Sequence, residues 1–309
     1  MARGCHILGG MSASAPSLLG NNPSFTMRYA VKRLRFALPA LGGRPAITYA
    51  AFRSSSTAIH HAVRAAGLGV SIKAHMLARE NLLARTSERG HFATHHPRLP
   101  MSCHVGDWAV RRGVIEPKRE ADFVIPVRDP WAVAHSCFVL SAEPIDPVFN
   151  PDRVRDAVAA GASSVEALVR RAEECIFGAF PRDFMCRWIR EDVHPALGWD
   201  PLAQPFDPER GFHEYAHGPW RIEMIRVDLS DERKSDALRS FFGRPSIAIK
   251  PKNQALALRG TSADVSSIAR QAIARRPDAV RALLEDPVCR HFWTHEDCER
   301  MWRKWSGVA

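Results

Sequence analysis

The chain has no apolar run approaching the roughly 18 residues that a membrane-spanning helix requires. It carries no Cys-x-x-Cys pair and no secretory leader, and its 7 cysteines, an odd number, are scattered along the sequence. Those absences point to reduced thiols and a cytoplasmic setting rather than a disulfide-stapled secreted fold. No internal repeat is visible. The spacing Gly, four residues, Gly-Lys-Ser/Thr is missing as well, which argues against a standard ATPase or kinase phosphate loop. No recognition motif for DNA or RNA is present, so nucleic acid is not an expected partner.

Against those absences stand 309 residues, 46% of them apolar and 25% charged, the balance of a soluble globular protein. The formal net charge is +10, and Arg clearly outnumbers Lys. Planar guanidinium forks suit phosphate, sulfate and carboxylate groups, so anionic partners are expected.

The most informative stretch is 46–63, AITYAAFRSSSTAIHHAV. Strand-forming residues stop at Arg53-Ser54-Ser55-Ser56-Thr57, after which Ala58, Ile59, Ala62 and Val63 recur at helical spacing. Strand, polar loop and helix follow one another, and such a loop turns backbone N–H groups, hydroxyls and the positive end of a helix dipole toward one anion. A plainer reading is equally open on these residues alone: Ser56 or Thr57 as an ordinary N-cap at a turn.

Taken in order, residues 1–24 read as a flexible leader and 25–309 as one α/β domain. Residues 27–41 form a basic amphipathic helix candidate, suited to the flank of the domain or to weak membrane-surface contact. A second strand, 70–73, leads to His75 and a helix over 76–88. The stretch 91–104 reads as a long loop containing His91, His95, His96 and His104, followed by a helix around 108–112. The run 121–127 reads as the most buried strand, ending at Arg128-Asp129-Pro130, with Pro130 opening the next helix. A helical insertion occupies about 151–195, broken near 180–183. After a turn-rich aromatic stretch come a strand over 221–227, a helix ending at Gly243, and helices over about 264–305. This alternation predicts an α/β fold with a parallel β-sheet flanked by helices on both faces.

The second strand-loop-helix, VIPVRDPWAVAHSCF, ends its strand at Arg128 and places Ser136 eight residues on, about two helical turns away. Here the residues resemble the sulfotransferase family, whose members hold 3′-phosphoadenosine 5′-phosphosulfate (PAPS). RSSST resembles the Arg-Ser-Gly-Ser-Thr loop of many bacterial members. The similarity is greatest to a bacterial group named for capsular polysaccharide synthesis, through RDP (128–130), WIREDVHPALGWDPLAQPF (188–206), RVDL (226–229) and HFWTHEDCERMWRKW (291–305). Two departures stand out: Ser55 replaces the usual Gly, and Leu258-Arg259-Gly260 is only a faint echo of the family's Arg-Lys-Gly motif.

The resemblance implies a P-loop NTPase-like sulfotransferase fold with added helices. It implies PAPS as co-substrate, with Arg53, Ser54, Ser55, Ser56 and Thr57 at the 5′-phosphosulfate and Arg128 with Ser136 at the 3′-phosphate. Ile72-Lys73-Ala74-His75-Met76-Leu77 resembles the family's Lys-Thr-His-Leu-Pro segment, which makes His75 the expected base and puts Lys73 near the sulfuryl group. Glu80 is the alternative base. The implied acceptor is a hydroxyl, of a carbohydrate. Two other readings remain beside it: a phosphotransferase using a nucleoside triphosphate, and a non-catalytic anion- or polysaccharide-binding protein. The spacing of Cys289, His291, His295 and Cys298 is compatible with zinc, but that segment resembles a family helix without a metal role, and no metal is expected.

Overall fold

A computed structural model describes residues 44–86, 101–178, 180–250 and 261–308. The leader, the 27–41 segment, His91, His95, His96 and the 258–260 tripeptide lie outside the described residues.

The described residues form an α/β fold around a five-stranded sheet: β1 (Ala46–Tyr49), β2 (Ser71–Ala74), β3 (Ala121–Val127), β4 (Phe212–His217) and β5 (Trp220–Arg226). The spatial order is β2-β1-β3-β5-β4. β1 pairs in parallel with β2 and β3, and β3 pairs in parallel with β5. Every residue of β3 is buried, as its continuous apolar run requires of a strand covered on both faces.

The helices are α1 (Ser56–Ala65), α2 (Arg79–Thr86), α3 (Met101–Val110), α4 (Pro130–Ile145), α5 (Pro151–Ala160), α6 (Ala162–Phe177), α7 (Phe184–Trp188), α8 (His194–Leu197), α9 (Asp231–Phe242), α10 (Thr261–Ala274), α11 (Pro277–Leu284), α12 (Pro287–Phe292) and α13 (His295–Ser306). A π-helical turn, Ile189–Val193, joins α7 to α8. On one sheet face Ala46, Val124 and Ile225 meet Ile59, Ala62 and Val63 of α1 and Leu238 and Phe241 of α9. On the other, Ile47, Tyr49, Phe123 and Met224 join an apolar cluster that takes in the 151–197 helices and reaches Trp305 in α13.

Two sequence expectations need correction. The end of the expected loop 91–104 is helical, because α3 starts at Met101. The turn-rich stretch before Trp220 contains a strand: β4 runs antiparallel to β5, with Tyr215 opposite Ile222, through a tight turn in which Gly218 takes φ +54°. Its pattern is legible only against β5, since edge strands are short and half-exposed. Among the described residues no helix is long and apolar enough to cross a membrane. Cys137, Cys175, Cys186, Cys289 and Cys298 are free thiols.

Mid-sheet, Glu223 is 2% exposed and its Oε1 has no hydrogen-bond partner among the described residues. It lies directly opposite Glu214. Burial, reinforced by Glu214, pushes its carboxyl up from 4.5 to about 8. A folded-state pKa raised above the unfolded value gives a contribution fully present below about 4.5 and lost as pH rises through about 8. Glu223→Gln is therefore expected to match the wild type near pH 4.5 and to exceed it by on the order of a few kcal/mol at pH 9, where the buried carboxylate would be ionised. Urea unfolding of both proteins across that range checks this; parallel stability curves would contradict it.

Candidate anion site at the β1/β3 edge

From β1 the chain reaches β2 on one side, and from β2 it crosses to β3 on the other. The loops leaving β1 and β3 therefore diverge at the carboxyl edge, and open parallel sheets bind ligands in the crevice at such a switch point. Arg53 follows β1 and Arg128 follows β3. The two loops are laced together: Arg53 Nε donates to Ser136 Oγ at 2.9 Å, and Arg128 Nη1 donates to the Arg53 carbonyl. The eight-residue spacing thus brings Arg128 and Ser136 to one place, joined through Arg53 rather than directly.

Neither guanidinium forms an ion pair with a carboxylate among the described residues. Burial lowers the pKa of both. Arg53 lowers Arg128 further, while Asp129 acts in the opposite direction. Asp129 is itself committed elsewhere, capping α4 through the N–H groups of Trp131 and Ala132 and accepting from Trp305 Nε1 at 2.7 Å. Two adjacent half-buried cations without a paired anion leave positive charge that a bound anion would compensate.

The loop backbone points the same way. Arg53 and Ser55 both take positive φ, +66° and +58°. Ser55 is the N-cap of α1, yet its side chain makes no capping hydrogen bond. The N–H groups of Ser55, Ser56 and Thr57 meet no acceptor among the described residues, although Ala58 and Ile59 donate to the Ser55 carbonyl. An ordinary Ser/Thr cap would have satisfied one of these donors. Three orphan N–H groups at a helix N-terminus beside two guanidiniums form a candidate anion cradle. Lys73 Nζ approaches Thr57 Oγ1 at 3.4 Å from β2 and adds a third cation. The Ser54 hydroxyl is turned away, donating to the Ala51 carbonyl at 2.6 Å, so Ser54 shapes the loop.

His75 lies one strand over, 4% exposed, its ring 4.5 Å from that of Phe52, which in turn stacks on Phe184. Its Nδ1 is 2.7 Å from the Ala50 carbonyl. A carbonyl only accepts, so Nδ1 carries the hydrogen and Nε2 is the basic nitrogen of the neutral ring. Glu80 is exposed on the first turn of α2.

Sequence reasoning missed the groups that hold His75. Asp107, fully buried, accepts from the His75 backbone N–H at 2.6 Å, and Trp188 Nε1 donates to the His75 carbonyl at 2.7 Å. Asp192, also fully buried, accepts from Leu77 N at 2.7 Å, Ala78 N at 3.4 Å, Asn81 Nδ2 at 2.7 Å and the Tyr49 hydroxyl. Burial pushes Asp192 up to about 6 against the pull of those donors, and burial with the adjacent Asp192 charge raises Tyr49. The only signal in the sequence was an acid, Asp192, between apolar Ile189 and Val193 four residues after a Trp. His104 falls within α3, and no cluster of three or more His, Cys, Asp or Glu side chains among the described residues could hold a metal ion.

Comparison with protein-family models, with curated proteins and with solved structures gives no match.

A left-handed conformation costs a non-glycine residue about 1 kcal/mol or more. Ser55→Gly should therefore stabilise the fold by about 1 kcal/mol, read as a higher urea midpoint at unchanged slope. A lower midpoint would mean that the Ser55 side chain contributes more than its backbone conformation costs.

Proposed function

We propose that this chain is a P-loop-like sulfotransferase that moves the sulfuryl group of PAPS to a hydroxyl, on a carbohydrate acceptor. The observation that carries the reading is the pair of half-buried guanidiniums, Arg53 and Arg128, without an ion-pair partner, beside three orphan N–H groups at the start of α1. Such a set fits a ligand with two anionic groups, and the resemblance of the loops to the sulfotransferase pattern chooses the nucleotide.

In this reading the N–H groups of Ser55 to Thr57 and the Arg53 guanidinium hold the 5′-phosphosulfate, and Arg128 with Ser136 holds the 3′-phosphate. The nucleotide supplies an activated sulfuryl group. Lys73, beside Thr57, faces the oxygen on which negative charge develops as the sulfur–oxygen bond breaks. His75 takes the acceptor's proton at Nε2, its Nδ1–H remaining on Ala50. A phosphotransferase would use the same cradle for a triphosphate but lacks the Gly-Lys-Ser/Thr of that loop. A non-catalytic binding protein would keep the cradle and make no use of His75.

Calorimetry with 3′-phosphoadenosine 5′-phosphate and with ATP, followed by single-turnover sulfuryl transfer, separates these readings. The bisphosphate is expected to bind and ATP to compete poorly. His75→Ala should lower the transfer rate about 10²–10⁴-fold, the range for a lost general base, with bisphosphate affinity nearly intact. A loss of less than about threefold in a folded variant, well below what a general base contributes, would move the base to Glu80 or to the 91–104 stretch.

A further inference from the structure

The buried carboxylate of Asp192 has no place in the anion cradle, yet it gathers an unusual number of donors. Tyr49 stands at the end of β1, Leu77 and Ala78 follow β2, and Asn81 is in α2; all four donate to Asp192, which is carried by the π-helical turn of the helical insertion. Three of these are buried groups whose donors would otherwise need another acceptor. Trp188, four residues earlier, donates to the His75 carbonyl and packs edge-on against Tyr49 with ring centroids 4.9 Å apart. Between them, Trp188 and Asp192 take hold of the His75–Ala78 backbone at three points. π-turns of this kind are enriched at functional sites, where they re-aim side chains.

We propose that Asp192 is a positioning residue for His75: by collecting the Tyr49 hydroxyl and the N–H groups of Leu77 and Ala78 it fixes the segment after β2, and with it the direction in which His75 presents Nε2. The assignment rests on the reading of His75 as the base, but the position of the ring can be measured without any reaction. Asp192→Asn would keep one acceptor oxygen and would bring an amide N–H₂ against groups that donate to Oδ2, Ala78 N–H and Asn81 Nδ2. The β2–α2 segment would then have to shift, and misplacement of a reacting group by about 1 Å costs on the order of 10²-fold in rate.

The test uses the full chain with ¹⁵N-labelled histidine, the His75 ring signals being identified by their loss in His75→Ala. In the wild type the pattern should show hydrogen on Nδ1, as the contact with the Ala50 carbonyl requires. Asp192→Asn should change that pattern and lower kcat for sulfuryl transfer on the order of 10²-fold, leaving bisphosphate affinity unchanged. Tyr49→Phe, which removes one donor and keeps the ring packing, should change both in the same direction by less, and serves if Asp192→Asn does not fold. If the wild type transfers no sulfuryl group but the His75 pattern still responds to either variant, the sulfotransferase reading fails and the positioning role stands. If folded Asp192→Asn, or Tyr49→Phe in its place, leaves the His75 pattern unchanged, Asp192 is only a structural acid and the proposal is overturned.

Discussion

Two guanidiniums brought together where charge repels them govern the candidate site. Arg53 and Arg128 come from different loops, and their contact exists only because β1 and β3 are neighbours whose following helices diverge. The lacing uses the Arg53 carbonyl and the Ser136 hydroxyl, neutral acceptors that orient the cations without cancelling them. Asp129, the carboxylate next to Arg128 in sequence, is drawn off by the cap of α4 and by Trp305. Sheet order, helix capping and the packing of α13 therefore converge on one result, a concentrated positive charge at the carboxyl edge of the sheet.

Strain and burial are distributed to match. The loop after β1 holds two left-handed non-glycine residues within three positions, a cost sustained by buried neighbours on both sides. The segment after β2 is held instead by buried acids, Asp107 and Asp192, one on α3 and the other on the helical insertion. The insertion thus does more than cover the sheet: Phe184 stacks on Phe52, Trp188 grips His75, and Asp192 ties β1 to β2. Substitutions in 184–192 should be felt at the edge of the sheet.

What could be read in the sequence was local. The buried run of β3, the Asp-Pro start of α4 and the strand-loop-helix at Arg53 carry their own signals within a dozen residues; the first two are where the pattern puts them, while β1 already ends at Tyr49 and the helix starts at Ser56 with Ser55, not Ser56 or Thr57, as its N-cap. Ser55 in a position favouring glycine was also legible, and its φ of +58° gives the reason. What escaped depends on partners far along the chain. Asp192 meets Tyr49 across 143 positions and Leu77 across 115, so nothing near residue 192 marks it as reaching the segment that carries His75. β4 escaped because its half-exposed residues become a strand only by pairing with β5.

The charge cradle itself can be tested without any assumption about chemistry, by thermal unfolding in rising pyrophosphate at constant ionic strength, with chloride as the reference. An anion that binds the native state alone stabilises by RT ln(1 + [L]/Kd), about 2.7 kcal/mol at a hundredfold excess over Kd. The expected result is a midpoint that climbs with pyrophosphate in the wild type and that climbs much less in Arg53→Ala and in Arg128→Ala. A wild-type midpoint that does not move, or one that climbs as far in both variants as in the wild type, would show that the paired guanidiniums of the β1/β3 edge are not an anion site.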